Sequence, residues 1–460
     1  DAMDKLDFLN DPEALDKQNE LKAMSIACDA IMILGKRYAA MAREMAEKET
    51  DPVRKEELLQ IAHNCDVVPA HKPETYWQAI QMYWFVHLGV TTELNPWDAY
   101  SPGRLDQHLY PFYEHDVEAG ILDDEKALEL HEKWNGKLDT VSKVQVKTRE
   151  DLALAYTPGV AEPCKVIAED PEAAYRYTIK SNTVAVVSND VSYLILDCMD
   201  EMKLLQPSSN VQISKKTPQR FLKRACEISR KGWGQPAFYN TDAIIQELLN
   251  AGKSIEDARR GGTSGCVETG AFGNEAYILT GYFNLPKILE ITLHNGFDPV
   301  SNKQLGLKLG NAEDFKSYDE LFEAYKKQVR HFADIKIRGN NVIEKIYKEY
   351  MPAPFLSIIT NDCISKGKDY NGGGARYNTS YIQGVGIGTI TDSLAAIKYN
   401  VFEQHRFTMH ELMEALDHNF EGYPEIYNFV ANKTPKYGND DDYADEIMES
   451  VFDYYYHTVS

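Results

Sequence analysis

The spacing of apolar and polar positions predicts a chain that is mostly helical. From about Pro12 to Ala62, Leu15, Leu21, Met24, Ile31 and Leu34 recur at helical intervals among Lys, Glu and Ala. A second helix runs from Tyr76 towards Leu88, and its aromatics Tyr83, Trp84 and Phe85 mark it as buried. Residues 95–103 have loop chemistry, after which helices broken near Gly120 extend from Asp106 to Trp134. Val184 to Val187 is a short apolar run suited to a buried strand. Helices follow over 191–205, Pro218–Lys231 and Thr241–Ala251, the last two each followed by glycine or a turn residue. Leu285 to Leu293 is apolar and leads into the turn 295–299. A long charged helix spans Tyr318 to Tyr350, Phe355 to Thr360 reads as a buried strand, and a last set of helices starts near Thr391.

Two glycine clusters interrupt this pattern. The first, Gly261 to Gly270, holds Cys266 and Glu268 two positions apart. Glycines permit backbone angles that other residues avoid, so such a loop can push a thiol and a carboxyl into one cavity. A reactive sulfur beside a proton carrier divides bond cleavage from proton transfer. The competing reading is a small buried hydrophobe, the usual fate of a free cysteine. A cysteine hydrolase would need a histidine partner, and neither His294 nor His331 can be placed beside Cys266 from sequence. The second cluster, Gly372 to Gly388, contains a Gly384-Val-Gly-Ile-Gly388 run whose spacing fails the dinucleotide fingerprint, so it reads as structural turns. Asp106 and Arg376 read as scaffold residues that pair or hydrogen-bond.

Composition narrows the partners. With 49 basic against 71 acidic residues the formal charge is -22, which repels phosphate backbones and anionic membrane surfaces, so neither nucleic acid nor a membrane is expected as a partner. No apolar run of about 18 residues and no signal peptide is seen. Seven scattered cysteines with no Cys-x-x-Cys pair suggest neither a zinc site nor a disulfide framework, and a reducing cytoplasm fits them.

Several motifs, in order, carry a resemblance to a known family. Ser264-Gly-Cys-Val-Glu268, Tyr277-Ile-Leu-Thr-Gly-Tyr282, Gly373-Gly-Ala-Arg-Tyr-Asn378 and Gln383-Gly-Val-Gly386 resemble the glycyl radical enzymes of the pyruvate formate-lyase superfamily. Ser101-Pro-Gly-Arg-Leu-Asp-Gln107, the stretch 189–196 and the stretch 206–212 extend the match. The resemblance implies an α/β fold, a partial glycyl radical enzyme β/α barrel with many surrounding helices. It implies that Cys266 carries a thiyl radical that takes a hydrogen atom from a small-molecule substrate. No cofactor is expected bound in this chain; the family depends on a glycyl radical installed by a radical-SAM activating enzyme, and a homodimer is expected.

Within the superfamily, Glu268, Tyr282 and Trp97-Asp98 are most similar to the hydroxyproline dehydratase branch. That similarity implies radical dehydration of a hydroxylated amino acid such as trans-4-hydroxy-L-proline. Glu268 would exchange the proton near the leaving hydroxyl, Asp98 would hold the cationic amine, and Tyr282 would shape the pocket. The bland alternatives are a turn or cap residue for Asp98 and a core aromatic for Tyr282. Another glycyl radical dehydratase or a decarboxylase is the rival within the superfamily.

The block 135–188 departs from this pattern. Val144 to Cys164, with its Tyr156-Thr-Pro-Gly, and the following stretch to Ser188 resemble the N-terminal portion of bacterial malic enzymes. Tyr156 corresponds to a catalytic acid there, but the metal-binding carboxylates and dinucleotide domain of malate oxidoreductases are not found after it. The expected organisation is therefore a barrel domain in two parts, 1–134 and 189–460, with a malic-enzyme-like segment between them in a chimera. No Arg-Val-x-Gly-Tyr loop follows Tyr456. The expectation is a chain without the C-terminal glycyl radical domain, inactive unless another polypeptide supplies the radical.

Overall fold

The structure, a computed structural model, describes residues 2–94, 103–134, 183–186, 190–203, 208–232, 234–264 and 268–460. Helices α1 (Ala14–Lys48) and α2 (Pro52–Val67) stand where one continuous pattern is predicted over 12–62. The break falls at Pro52, which suits only a first turn, and the Asp51 carboxylate caps that turn by accepting the Val53 N–H at 3.0 Å. Leu21 and Met24 are buried as expected, whereas Leu15 is 61 % exposed. Helix α3 (Tyr76–Glu93) begins at Thr75, whose hydroxyl accepts the Gln78 N–H, and it buries Tyr76 and Phe85 completely. Gly120, at φ +69°, separates α4 (Leu105–Glu118) from α5 (Asp124–Trp134), the break that the sequence indicates.

Next come β1 (Thr183–Val186), α6 (Asp190–Met202), β2 (Ser208–Ile213), α7 (Gln219–Ser229), β3 (Ala237–Asn240) and α8 (Thr241–Asn250). The three strands form a parallel sheet in the order β1-β2-β3, with Val211 of β2 in register with Val186 and Phe238. Because side chains alternate across a strand, Val211 and Ile213 share one face of β2. That face packs on a core containing Leu105, Leu109, Val191, Leu196 and Phe221. Asp106 is buried in α4 and accepts the Ser192 hydroxyl at 2.7 Å, a scaffold role as the sequence suggests.

The chain continues through α9 (Ile255–Arg260), β4 (Gly262–Ser264), β5 (Glu268–Gly270), β6 (Glu275–Asn284), α10 (Leu285–Leu293), β7 (Phe297–Asp298), β8 (Lys303–Gln304) and α11 (Tyr318–Tyr350). It ends with α12 (Pro354–Ile358), α13 (Cys363–Lys366), β9 (Tyr377–Val385), α14 (Ile387–Ile397), α15 (Met409–Asp417), α16 (Pro424–Asn432) and α17 (Asp442–Val459). Mixed helices and strands agree with the α/β expectation. Among the described residues the sheets beyond β1-β2-β3 are pairs: β4-β5, β6-β9 and β7-β8.

Residues 355–360 are not a strand; Phe355 and its neighbours form α12. Pro354 supplies the first turn, the two Glu93 carboxylate oxygens accept the Phe355 and Leu356 N–H groups at 2.7 and 2.8 Å, and Ser357 Oγ donates to the Ala353 carbonyl. A short apolar run has no periodicity to separate a buried helix from a strand, and the cap decides it.

The chain divides into two compact units, Asp1–Ala276 with Pro352–Asn378, and Tyr277–Met351 with Thr379–Ser460. In the first, α1, α3 and α12 share a core with Leu21, Met24, Val90 and Leu356, and Gly89 of α3 lets the Phe355 ring lie against the helix backbone. In the second, α11 contributes Leu321, Tyr325, Val329 and Ala333, four residues apart, to a core with Leu289, Leu293, Leu394 and Val451. The run at 384–388 is structural there. Gly386 sits at φ +83° at the start of α14, and a Cβ on it would crowd Pro286 at 2.6 Å.

Candidate functional site

The first glycine cluster folds as a hairpin. Ser254 Oγ caps α9 by accepting the Asp257 N–H at 3.1 Å, the helix stops at Gly261, and β4 pairs antiparallel with β5. The register sets Gly262 opposite Gly270, Thr263 opposite Thr269 and Ser264 opposite Glu268. The connection 265–267, and with it Cys266, lies outside the described residues. Glu268 is half-buried in β5.

The glycines at the base of this hairpin serve space rather than unusual backbone angles, which differs from the sequence reading. Gly261 has φ −75° and ψ −176°, and Gly262 is not among the residues with positive φ. A Cβ on Gly261 would overlap the Gly270 carbonyl and reach Leu248 at 2.7 Å, while one on Gly262 would overlap the Gln212 amide and reach Phe272 at 2.8 Å. The hairpin backbone therefore seats directly on the Gln212 side chain.

Alternation fixes what shares that face. Gly262 and Ser264, with their partners Gly270 and Glu268, lie on one side of the hairpin, and Thr263 and Thr269 on the other. Thr269 Oγ1 donates to Glu247 of α8, so the threonine side faces that helix. The Gln212 amide is thus on the Glu268 side, two strand positions or roughly 7 Å along from it. Gln212 and Asn210 project from β2 opposite the core-facing Val211; they are 4 % and 1 % exposed, and both polar atoms of each amide are buried without a hydrogen-bond partner among the described residues. Buried unpaired amides are uncommon and costly; Asn340 of α11 is another, but only on this strand do two stand together, among the described residues.

Arg104 stands in the 101–107 motif, where nothing in its residue type or spacing marks it as part of the site. It donates from a terminal guanidinium nitrogen to the Gly261 carbonyl at 2.9 Å, and burial pushes its guanidinium below the ordinary arginine value. Of the remaining sequence candidates, Asp98 and Tyr156 lie outside the described residues. Tyr282 is 64 % exposed in β6, in the second unit. His294 and His331 belong to that unit as well, with ring nitrogens 2.8 Å and 3.3 Å from the Glu290 and Leu305 carbonyls. Among the described residues no group of three His, Cys, Asp or Glu side chains could hold a metal ion, and no helix is long and apolar enough to cross a membrane.

Comparison with known proteins gives the class. The family described as pyruvate formate lyase-like matches residues 1–460, and the chain belongs to it. Among its relatives, trans-4-hydroxy-L-proline dehydratase of Clostridioides difficile is 63% identical over 465 residues, covering 99% of this chain and 56% of that protein. The (2S)-3-sulfopropanediol dehydratase of Klebsiella oxytoca is 32% identical over 98% of this chain and 53% of its own length. In three dimensions the chain is similar to the C. difficile hydroxyproline dehydratase solved with trans-4-hydroxy-L-proline bound, with a TM-score of 0.86 and 61% identity over 99% of this chain and 56% of that one. It is also similar to the glycerol-bound B12-independent glycerol dehydratase of Clostridium butyricum, at 0.83 and 35% identity over 100% and 56%. The chain spans about half the length of the curated relatives it matches. The family match takes in residues 135–188, and the malic-enzyme-like reading of that block receives no support.

Proposed function

We propose that the protein carrying this chain is a glycyl radical dehydratase acting on a hydroxylated amino acid such as trans-4-hydroxy-L-proline. The observation that carries this reading is Glu268: the hairpin register holds a half-buried carboxyl two residues from Cys266, in a chain 63% identical to a hydroxyproline dehydratase. The fold is a β/α barrel with surrounding helices. Cys266 is the thiyl that takes a hydrogen atom from the substrate carbon beside the one bearing the hydroxyl. Glu268 delivers the proton with which that hydroxyl leaves as water. Asp98 pairs with the substrate ammonium, a favourable contact when partly desolvated, and Tyr282 shapes the pocket. The radical is installed by a separate radical-SAM activating enzyme, the working form is a homodimer, and the reaction runs in the cytoplasm. The unpaired Asn210 and Gln212 amides support a polar ligand, since each offers both a donor and an acceptor.

The test is anaerobic turnover of trans-4-hydroxy-L-proline by the activated protein, with the dehydrated product followed by mass spectrometry. Cys266→Ala should abolish turnover. Glu268→Gln should lower it on the order of 100-fold or more, the usual weight of a positioned proton carrier. Full activity in either variant, or no dehydration by the parent protein while glycerol is consumed, would overturn the assignment.

A further inference from the structure

Both feet of the Cys266 hairpin are tied to a single stretch of chain, residues 361–377. At the first foot, the Asp257 carboxylate of α9 accepts the Tyr377 hydroxyl at 2.8 Å, the Asn274 amide at 3.0 Å and one Arg376 terminal nitrogen at 3.2 and 3.3 Å. The same Tyr377 hydroxyl accepts the Ser254 N–H at 3.1 Å, just before α9 begins. At the second foot, beyond Gly270, the Asn274 carbonyl accepts the Tyr377 N–H at 3.0 Å, its side-chain oxygen accepts the Asn361 amide at 2.7 Å, and the Gly273 carbonyl accepts the Asn361 N–H at 2.8 Å. A buried ion pair closes this foot: Lys253 lies 3.0 Å from Glu275, whose second oxygen accepts the Ala271 N–H at 2.8 Å.

Arg376 is the hub, and its own orientation is fixed from the far side. Its Nε and second terminal nitrogen donate to the two Asp362 oxygens at 3.2 and 3.3 Å, a bidentate fork that leaves the remaining nitrogen aimed at Asp257. Asp362 holds φ +77°, a left-handed conformation that is rare for a residue other than glycine and persists only where the surroundings enforce it. Asp257 is buried; one of its oxygens accepts from Asn274 and Arg376 and the other from Tyr377 and Arg376, so Arg376 alone serves both.

We infer that Asp257 and Arg376 are positioning residues for the proposed reaction: their ion pair sets where the hairpin holds Glu268 against the substrate. This rests on the dehydratase reading for its catalytic consequence, while the mechanical consequence stands by itself. Arg376→Gln removes the fork and the charge, and Arg376→Lys keeps a cation able to reach Asp257.

Two measurements test it. Hydrogen exchange should be at least about tenfold faster for the hairpin peptide 262–270 in Arg376→Gln, with α7 (Gln219–Ser229) unchanged as the reference. In the activated protein, turnover of trans-4-hydroxy-L-proline in Arg376→Gln should lose on the order of 10- to 100-fold in kcat with KM within about twofold, and Arg376→Lys, which keeps the charge but not the fork, should recover only part of it. Unchanged exchange in the hairpin, or equal acceleration in α7, overturns the clamp. Intact kcat with a loosened hairpin overturns the positioning role. If the parent protein does not dehydrate hydroxyproline, the substrate assignment fails, and the exchange comparison still decides whether the ion pair holds the hairpin.

Discussion

Replacing Gln212 by methionine should stabilise the ligand-free protein, although it takes a polar residue out of a structure that is rich in hydrogen bonds. Gln212 is 4 % exposed, and its amide nitrogen and oxygen are both buried without a partner among the described residues. A buried polar group left in that state costs about 1–3 kcal/mol. Methionine has the same unbranched reach and close to the same volume, so the change neither opens a cavity nor overfills the space against Gly262. The net gain expected is about 1–2 kcal/mol, a factor of roughly 5–30 in the opening equilibrium of β2. Two compact units make a single global unfolding transition a poor readout, so the assay is hydrogen exchange of peptides covering 208–229. The control is the same substitution at the exposed Gln246 of α8, which should leave those peptides unchanged. Faster exchange in Gln212→Met would refute the reasoning, because it would mean that the amide has a partner in solution.

Two further outcomes follow from packing and from charge. Gly89→Ala should destabilise the first unit by about 1–3 kcal/mol, since a Cβ there overlaps the Phe355 ring and reaches its Cδ1 at 2.8 Å; unchanged exchange of α3 and α12 would show that the ring moves aside freely. In the second unit, the Glu313 carboxylate 2.6 Å from His410 raises that imidazole above its ordinary value of 6.5. The folded state then holds a proton that the unfolded chain has released. This contribution is complete below the ordinary value and fades as pH rises through the raised one. Glu313→Gln should bring the His410 titration, followed by its ring proton shift, back towards 6.5; an unmoved titration would sink the assignment.

Much of the fold is legible in the sequence where local signals suffice. Helix α11 has the bounds that its pattern indicates, Tyr318 to Tyr350, because Ser317 supplies the cap and charged periodicity runs unbroken behind it. Helix α12 is misread because its deciding interaction, the Glu93 carboxylate on the Phe355 N–H, comes from 262 residues away. The site divides in the same way. Cys266 and Glu268 stand out from residue types and spacing alone. Arg104 and Asp257 do not, since each takes its meaning from a partner more than 100 positions distant: Gly261 for one, Arg376 for the other. The glycines are visible in sequence but their reason is not, because room for the Gln212 amide and the Gly270 carbonyl is a property of the folded chain.

That last point bears on how stability and chemistry are related here. Local rules hold at many points of this chain: Asp51, Thr75, Ser254 and Ser317 cap their helices, and the buried Lys253 is paired with Glu275. Buried amides with neither polar atom partnered among the described residues occur at Asn340 of α11 and, two on one strand, at Asn210 and Gln212 beside the hairpin face that carries Glu268. A packed core offers no advantage to an unpaired amide, so two of them at one place are a cost that packing alone does not explain. The Asp257–Arg376 network and the buried ion pair lie at the feet of the same hairpin, where they can offset that cost locally. On this view a substitution that relieves the amides stabilises the protein and weakens its hold on a polar ligand, whereas one that loosens the feet does neither and instead blurs the geometry of Glu268. The two sets of residues should therefore separate experimentally, the β2 amides through KM and ligand-free stability, the clamp through kcat and hairpin exchange.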